Sequence, residues 1–224
     1  MTSHLVYGVI DPGELPVGES LALHPPASFA RWTPFRTPPS RSMALPWPDP
    51  INFQHHIAIA RDASIAEHHK NLTRAGDGPG GAEDGQWYEL HAGEHVSPTL
   101  LPLVCDVFPG LLPIAAHPLA LTLLHDRFPT VTMTIEFKSP IPQGTRAIGV
   151  FGSGRFIGEP QGRHELYTEV WTAPAGITDK DVQLADEWRG EQRCLAIAHQ
   201  MALTIQTGAN HNKNAKEGSG KPRL

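Results

Sequence analysis

The clearest alternation of apolar and polar residues lies in the segment FPTVTMTIEFKSPIP, residues 128–142. Val131, Met133, Ile135 and Phe137 fall on one side of an extended chain, and a row of threonines falls on the other. This period of two, with its β-branched residues, predicts a strand over 128–138 with one buried face. The threonines either face solvent, which Thr tolerates in strands, or face a groove in which one of them handles a substrate.

The rest of the folded part is predicted from similar patterns. Residues 99–108 are apolar almost all round, which predicts a buried helix that ends at Pro109-Gly110. The polar segments 74–85 and 174–192 are predicted loops, and the stretch DKDVQLADEW in the second favours a short surface helix. The fold class is therefore α+β, a curved antiparallel sheet wrapped on one long central helix. The other predicted strands are 51–60, 86–91, 144–157, 163–173 and 194–206.

Proline and glycine divide the chain into three parts. Ten of the 22 prolines lie in the first 50 residues, so 24–50 is predicted to be an extended tether without regular elements. Trp32, Phe35 and Trp47 are expected to pin this tether to a surface. We therefore predict a Pro-rich segment over 1–50, a folded domain over 51–206 and a disordered polar tail over 207–224.

Composition narrows the class of protein. The 224 residues carry a net charge of −5 without a basic cluster, which disfavours nucleic acid as a partner. Two cysteines without paired spacing predict a reducing compartment and neither a disulfide framework nor a metal site. No apolar run is long enough to span a membrane, and no signal peptide is evident. A cytoplasmic protein without a cofactor is expected, with a peroxisomal location as the alternative because Pro222-Arg223-Leu224 faintly resembles a peroxisomal signal.

Asp106 is the one charged residue between Glu94 and Asp126, and it lies in the most apolar helix. A carboxylate that is buried alone is unfavourable by several kcal/mol, so it needs partners. Either Asp106 lies on the exposed edge near the end of the helix, or it is held at the floor of a cleft to act as a base.

Gln200 is a second exception, within the segment CLAIAHQMAL. The strand around it is apolar on both faces, as in a central covered strand. Its amide either bonds a neighbouring backbone group or faces outward, or it has a role in a site. The pattern alone leaves these readings open.

The three segments LVCDVFP, FPTVTMTIEFKSPIP and CLAIAHQMAL, in this order, resemble the C-terminal half of double-hotdog acyl-CoA thioesterases of the acyl-CoA thioesterase II type. The similarity extends to fungal members of the thioesterase-like superfamily and covers roughly residues 51–206. In that family an Asp on the central helix, a Thr or Ser at the head of the next strand and a Gln on the last strand hold the attacking water. The resemblance places these roles on Asp106, Thr130 and Gln200, and leaves Thr132 and Thr134 as ordinary strand residues.

The resemblance implies a hydrolase of fatty acid metabolism that acts on acyl-CoA or on a carrier-bound acyl or polyketide thioester. The family uses two hotdog repeats, whereas this sequence has room for one, and residues 1–23 would be the last strand of the first. A homodimer, or pairing with a separate hotdog unit, is therefore expected.

Two alternatives to the thioesterase function remain: a non-catalytic hotdog unit that binds acyl chains or a partner, and a hotdog dehydratase or hydratase. His199 supports the latter little, because it points away from the face of Gln200.

Overall fold

The computed structural model describes residues 32–46, 53, 55–65, 67–68, 81–91, 93–107, 126–158 and 163–206. Trp47, residues 1–23 and the tail 207–224, on which predictions were made, lie outside these ranges. The helix α1 is Leu100–Val107. The strands are β1 Met43–Leu45, β2 Ile57–Arg61, β3 Gly81–Leu90, β4 Asp126–Arg127, β5 Thr130–Phe137, β6 Ala147–Gly158, β7 Arg163–Thr172, β8 Cys194–Ala202 and β9 Ile205–Gln206.

Seven of these strands form one antiparallel sheet in the order β1-β2-β3-β6-β7-β8-β5. Within this order β5 is an edge strand next to β8, although β6, β7 and β8 all come later in the chain. The short strands β4 and β9 form a separate pair. The structure has an open antiparallel sheet with few helices in the described residues, which confirms the antiparallel sheet of the predicted α+β fold.

The helix α1 packs on one face of the sheet against β5, β7 and β8. Its apolar residues Leu101, Val104 and Cys105 are buried in a core with Val170 and Ala198 of the sheet. The predicted start of the helix, residue 99, agrees with the structure to within one residue, and its predicted end at Pro109-Gly110 lies outside the described residues. A long helix is not seen in the described residues, because α1 has eight residues and a length of about 12 Å.

The opposite face of the sheet carries a second apolar core, and the burial of Phe35 in it confirms the prediction that this residue pins the proline-rich segment to a surface. Phe35 is fully buried there and its ring centroid lies 4.0 Å from that of Trp87. Gly149 makes this contact possible, because a Cβ at this position would lie 2.6 Å from Phe35 and 2.7 Å from Trp87. Trp171 and Trp188 complete the layer, which we call the outer core. We call the face under α1 the helix face and the other the outer face.

The proline-rich segment is more structured than predicted. Residues 39–41 form a 3₁₀ helix, and Met43–Leu45 pair with β2 as the edge strand β1. The buried carboxylate of Asp62 holds this segment by accepting hydrogen bonds from the backbone N–H groups of Arg36 and Thr37 at 2.8 and 2.9 Å. The prediction of a tether without regular elements is therefore wrong for residues 39–45, because buried anchors compensate for the donors that proline lacks.

The loop between β7 and β8 lies against the outer face. Glu89, which is 3% exposed, accepts hydrogen bonds from Thr178 N at 3.0 Å and from Arg146 Nη2 at 3.1 Å. Trp188 of the same loop belongs to the outer core. The expected surface helix over 179–188 is not formed, and a short 3₁₀ helix occupies Trp188–Glu191 instead. Anchoring by Glu89 and Trp188 outweighs the weak helical tendency of this segment.

Several predicted strand boundaries are wrong. The predicted strand 51–60 begins only at Ile57, because His55 and His56 form a turn. The strand β3 begins at Gly81, inside the predicted loop 74–85, because its first half pairs with β6 from Gly81↔Arg155 onward. The predicted strand 194–206 is interrupted after Ala202, and Ile205–Gln206 pairs instead with β4.

None of the helices in the described ranges is long and apolar enough to cross a membrane.

Candidate active site

A β-bulge at the start of β5 turns Thr130 toward the helix. Residues that lie directly opposite in an antiparallel pair share a face, and Met133 lies opposite Gln200. Regular pairing would continue with Val131 opposite Ala202, but the register shifts between Thr130 and Thr132, so Thr130 takes that place. Thr130 is therefore on the helix face with Met133 and Gln200.

Asp106 lies in the last turn of α1, where the helix passes the end of β5. Thr130 Oγ1 donates a hydrogen bond to Asp106 Oδ1 at 2.7 Å. The carboxylate is half-buried and is therefore neither isolated in the core nor fully solvated. Asp106 is therefore not simply a solvated residue on the exposed edge near the end of the helix, because it is half-buried and hydrogen-bonded.

Gln200 completes the cluster from the middle of β8. Its side chain is 5% exposed, and Nε2 donates a hydrogen bond to Asp106 Oδ1 at 2.8 Å. Nε2 also donates a short hydrogen bond to Thr130 Oγ1. Asp106, Thr130 and Gln200, which the sequence predicts as site residues from three distant segments, are thus in direct contact.

The hydrogen bonds within the cluster determine which lone pairs of Asp106 and Thr130 are still available to a substrate or a water molecule. Both hydrogen bonds to Asp106 end on Oδ1, so Oδ2 can accept a proton or a further hydrogen bond. Thr130 uses its hydroxyl proton toward Asp106 and one lone pair toward Gln200, which leaves the second lone pair. The arrangement suits a base whose carboxylate is held by two donors.

Thr132 and Thr134 face away from this cluster. They line a groove of about 700 Å³ on the outer face, together with Tyr167 and His199. The His199 side chain is exposed on the face opposite Gln200, with its ring centroid 5.1 Å from that of Tyr167. The strand pattern predicts either solvent or a groove beside the threonine row. A groove is present, but the threonine in contact with Asp106 lies on the other face.

Cys105 directly precedes Asp106 and is fully buried. Burial raises the pKa of its thiol to about 12, and the neighbouring Cys194 and Asp106 add to the rise. The thiol is therefore protonated at neutral pH and is not a nucleophile.

Within the ranges that the structure describes, no group of three or more His, Cys, Asp or Glu side chains is placed to hold a metal ion.

Comparison with solved structures identifies the fold. The chain is similar to a candidate thioesterase II from Thermobifida fusca, with a TM-score of 0.50 and 16% identity over 82% of this chain and 59% of the other. It is also similar to a hotdog-fold protein of unknown function from Alicyclobacillus acidocaldarius, with a TM-score of 0.50 and 17% identity over 84% and 58%. No protein-family model matches the chain, and a search of curated proteins gives no match.

The fold class that these findings define is the hotdog fold. The resemblance noted in the sequence is thereby confirmed for the fold. The chain spans about three fifths of the length of the two structures, so each contains a large part with no counterpart here.

Proposed function

We propose that this protein is a thioesterase that hydrolyses an acyl-CoA or a carrier-bound acyl or polyketide thioester, with Asp106 as the general base. The observation that carries the proposal is the contact of Asp106 with both Thr130 and Gln200. A carboxylate next to a hydroxyl and an amide is the chemistry that positions and deprotonates a water molecule. The thioesterase-like fold makes an acyl thioester the expected substrate class.

In this mechanism the water molecule donates a hydrogen bond to Asp106 Oδ2, next to the hydroxyl of Thr130. As its oxygen attacks the thioester carbonyl carbon, Asp106 takes the proton, and a tetrahedral intermediate forms. The C–S bond then breaks, and the leaving sulfur takes the proton back from the carboxylic acid. The products are a carboxylic acid and a free thiol, so atoms and charge balance without a cofactor. Gln200 orients the carboxylate by holding Oδ1.

The observed geometry removes the support that His199 could have given to the dehydratase alternative. A hotdog dehydratase would use a His beside a carboxylate. His199 is the histidine next to Gln200 in sequence, but it lies on the outer face, where Thr134 is its strand partner. A non-catalytic acyl-binding unit stays the second candidate, because the matched solved structures are longer than this chain.

A second hotdog unit, from another copy of this chain or from a separate subunit, is the proposed partner. Within the described sheet β5 is an edge strand, bonded to β8 on one side. Val131 and Phe137 on this edge are 45% and 48% exposed. An eight-residue edge strand with exposed apolar side chains is a surface that a further strand would cover. Light scattering of the purified chain tests this: a dimer is expected, and a monomer with full activity would contradict it.

The experiment that tests the function is thiol release from a series of acyl-CoA esters and acyl-carrier thioesters. Wild-type protein should release thiol in proportion to enzyme concentration, and Asp106→Asn should not. Saturable binding of the same acyl chains without thiol release would favour the non-catalytic candidate. Water loss from a 3-hydroxyacyl thioester, followed by ultraviolet absorbance, would favour the dehydratase.

A further inference from the structure

Two buried polar atoms lie near each other on the helix face without a hydrogen-bond partner in the described part of the chain. They are Gln200 Oε1 and Thr168 Oγ1. Thr168 is fully buried on β7 and Gln200 is 5% exposed on β8. In the register of these strands, Gln200 lies opposite Leu166 and Thr168 lies opposite Ala198. The two residues are therefore diagonal neighbours on one face, a relationship that brings long side chains within reach of each other.

The contacts of Gln200 fix which end of its amide is available. Nε2 donates to Asp106 and to Thr130, so the amide nitrogen points at the carboxylate. The oxygen, Oε1, consequently points elsewhere and can only accept a hydrogen bond. Thr168 carries a hydroxyl that can donate one. The two atoms are chemically complementary.

A structural role does not account for a threonine at position 168. The helix-face residues on either side of it along β7, Leu166 and Val170, are apolar and buried. A buried hydroxyl without a partner is destabilising, whereas valine has nearly the same shape and no polar atom. Departures from the rule that buried polar groups are paired often mark functional sites.

We propose that Thr168 is a positioning residue of the hydrolytic site, which donates its hydroxyl proton to Gln200 Oε1 in the working enzyme. A change of the Thr168 side-chain rotamer would form this bond. The amide of Gln200 is then held at both ends, by Thr168 on one side and by Asp106 and Thr130 on the other. Because Gln200 in turn orients Asp106, Thr168 acts on the base through Gln200. This inference rests on the proposed thioesterase function.

The test compares Thr168→Val, Thr168→Ser and Thr33→Val in the full chain. Thr33 is a matched control, since its hydroxyl is also fully buried and without a partner in the described residues. It is remote from the helix face, because the backbone carbonyl of Thr33 accepts a hydrogen bond from Arg189 of the outer-face loop. Thr33→Val therefore removes an equivalent hydroxyl without touching Gln200.

We expect Thr168→Val to lower kcat by about five- to tenfold with KM within twofold, as for loss of one hydrogen bond that acts on the transition state. Thr168→Ser should restore kcat, and Thr33→Val should leave it unchanged. The melting temperature should hold or rise in Thr33→Val, which loses an unpaired buried hydroxyl, and should not rise in Thr168→Val, which leaves Gln200 Oε1 without its donor. Wild-type kcat in Thr168→Val, or a serine variant as slow as the valine one, would overturn the inference.

A second measurement separates this inference from the function on which it rests. Exchange of the Gln200 Nε2 protons with water, followed by NMR, should become severalfold faster in Thr168→Val and stay unchanged in Thr33→Val. If the wild type releases no thiol, the proposed function fails whatever the exchange rates are. If the wild type is active but neither kcat nor exchange responds to Thr168→Val, only the role of Thr168 fails.

Discussion

Thr130 Oγ1 donates a hydrogen bond to Asp106 Oδ1 across 2.7 Å, and this bond joins the edge strand of the sheet to the last turn of the helix. It exists because the β-bulge at Val131 brings Thr130 to the helix face. Without the extra residue, a valine would take the place opposite Ala202 and no hydroxyl would reach the carboxylate. One irregular pairing thus positions the hydroxyl beside Asp106.

The first prediction concerns the proposed base. Asp106→Asn keeps the shape of the side chain but removes its ability to take a proton, so kcat/KM for thiol release should fall by about 10²–10⁴-fold. The melting temperature should change by no more than about 4 °C, which corresponds to roughly 1 kcal/mol in a chain of this size. Kinetics and a thermal melt on the same preparation test this. Normal turnover in the folded variant would rule out the mechanism.

Two of the polar residues of this site could be found from the sequence because each breaks a strong pattern. Asp106 interrupts an apolar helix, and Gln200 interrupts an apolar strand. Both needed partners, and the structure pairs them with each other. Thr130 is different: in the strand pattern it lay on the polar face with Thr132, and only the family resemblance singled it out. Polar and apolar residues alternate without a break through the bulge, so the sequence pattern does not reveal the change of register between Thr130 and Thr132.

The outer core could not be predicted for a different reason. Phe35 lies in a proline-rich segment, and its contact with Trp87 spans more than fifty residues of sequence. The sequence predicts that Phe35 anchors this segment, but local propensity does not show which distant residues it will contact. The space that Gly149 leaves on β6 admits Phe35, and such a long-range fit is visible only when the strands are assembled.

The second prediction separates Thr130 from the other threonines of its strand. Thr130→Val should lower kcat/KM by about tenfold, because Asp106 loses one of its two hydrogen-bond donors. Thr130→Ser should retain most of the activity, since a serine hydroxyl can make the same bond. Thr132→Val is the matched control on the opposite face and should leave turnover unchanged. Equal effects of the two valine substitutions would argue against a special role for Thr130.

The third prediction tests whether Asp106 and Gln200 act as one unit. Gln200→Ala should lower kcat/KM because Asp106 loses a donor that orients its carboxylate. In combination with Asp106→Asn, the same change should add less than twofold, because residues that act together give non-additive effects. A double-mutant cycle on kcat/KM measures this. Fully multiplicative losses would mean that Gln200 contributes by a separate route.

The fourth prediction concerns the loop on the outer face. Glu89→Gln removes the charge that accepts hydrogen bonds from Thr178 and Arg146, so we expect a loss of about 1–3 kcal/mol in the free energy of unfolding. The rate per folded molecule should stay unchanged, because this loop lies across the sheet from Asp106. Glu94→Gln is a suitable control, since its side chain is 50% exposed and its ion pair with His56 spans 3.7 Å.

Urea unfolding and thiol release on both variants separate stability from activity. The Glu94 control should differ from wild type by less than about 1 kcal/mol, as is usual for an exposed ion pair. A drop in kcat for folded Glu89→Gln would contradict the separation of the two faces, and would mean that the outer loop influences the site.

The fifth prediction concerns Cys105, whose thiol has a pKa raised to about 12 by burial, with smaller contributions from Cys194 and Asp106. Since the thiol is neutral at pH 7 to 8, Cys105→Ala should keep kcat/KM within about twofold of wild type. A loss of activity comparable to that of Asp106→Asn would instead indicate a covalent mechanism through the thiol.

The same residue makes stability depend on alkaline pH. A thiol in the unfolded chain ionises near its ordinary pKa of 9.0, whereas the folded protein holds the proton up to about pH 12. The contribution of the protonated Cys105 thiol to the free energy of unfolding is therefore complete below pH 9 and is lost as the pH rises from 9 toward 12. Burial also raises the pKa of the Tyr88 hydroxyl, which acts in the same direction, so the comparison with Cys105→Ala isolates the thiol. Melting temperatures from pH 8 to 11 should fall less steeply in Cys105→Ala than in wild type, and parallel curves would show that the thiol is not protected by burial.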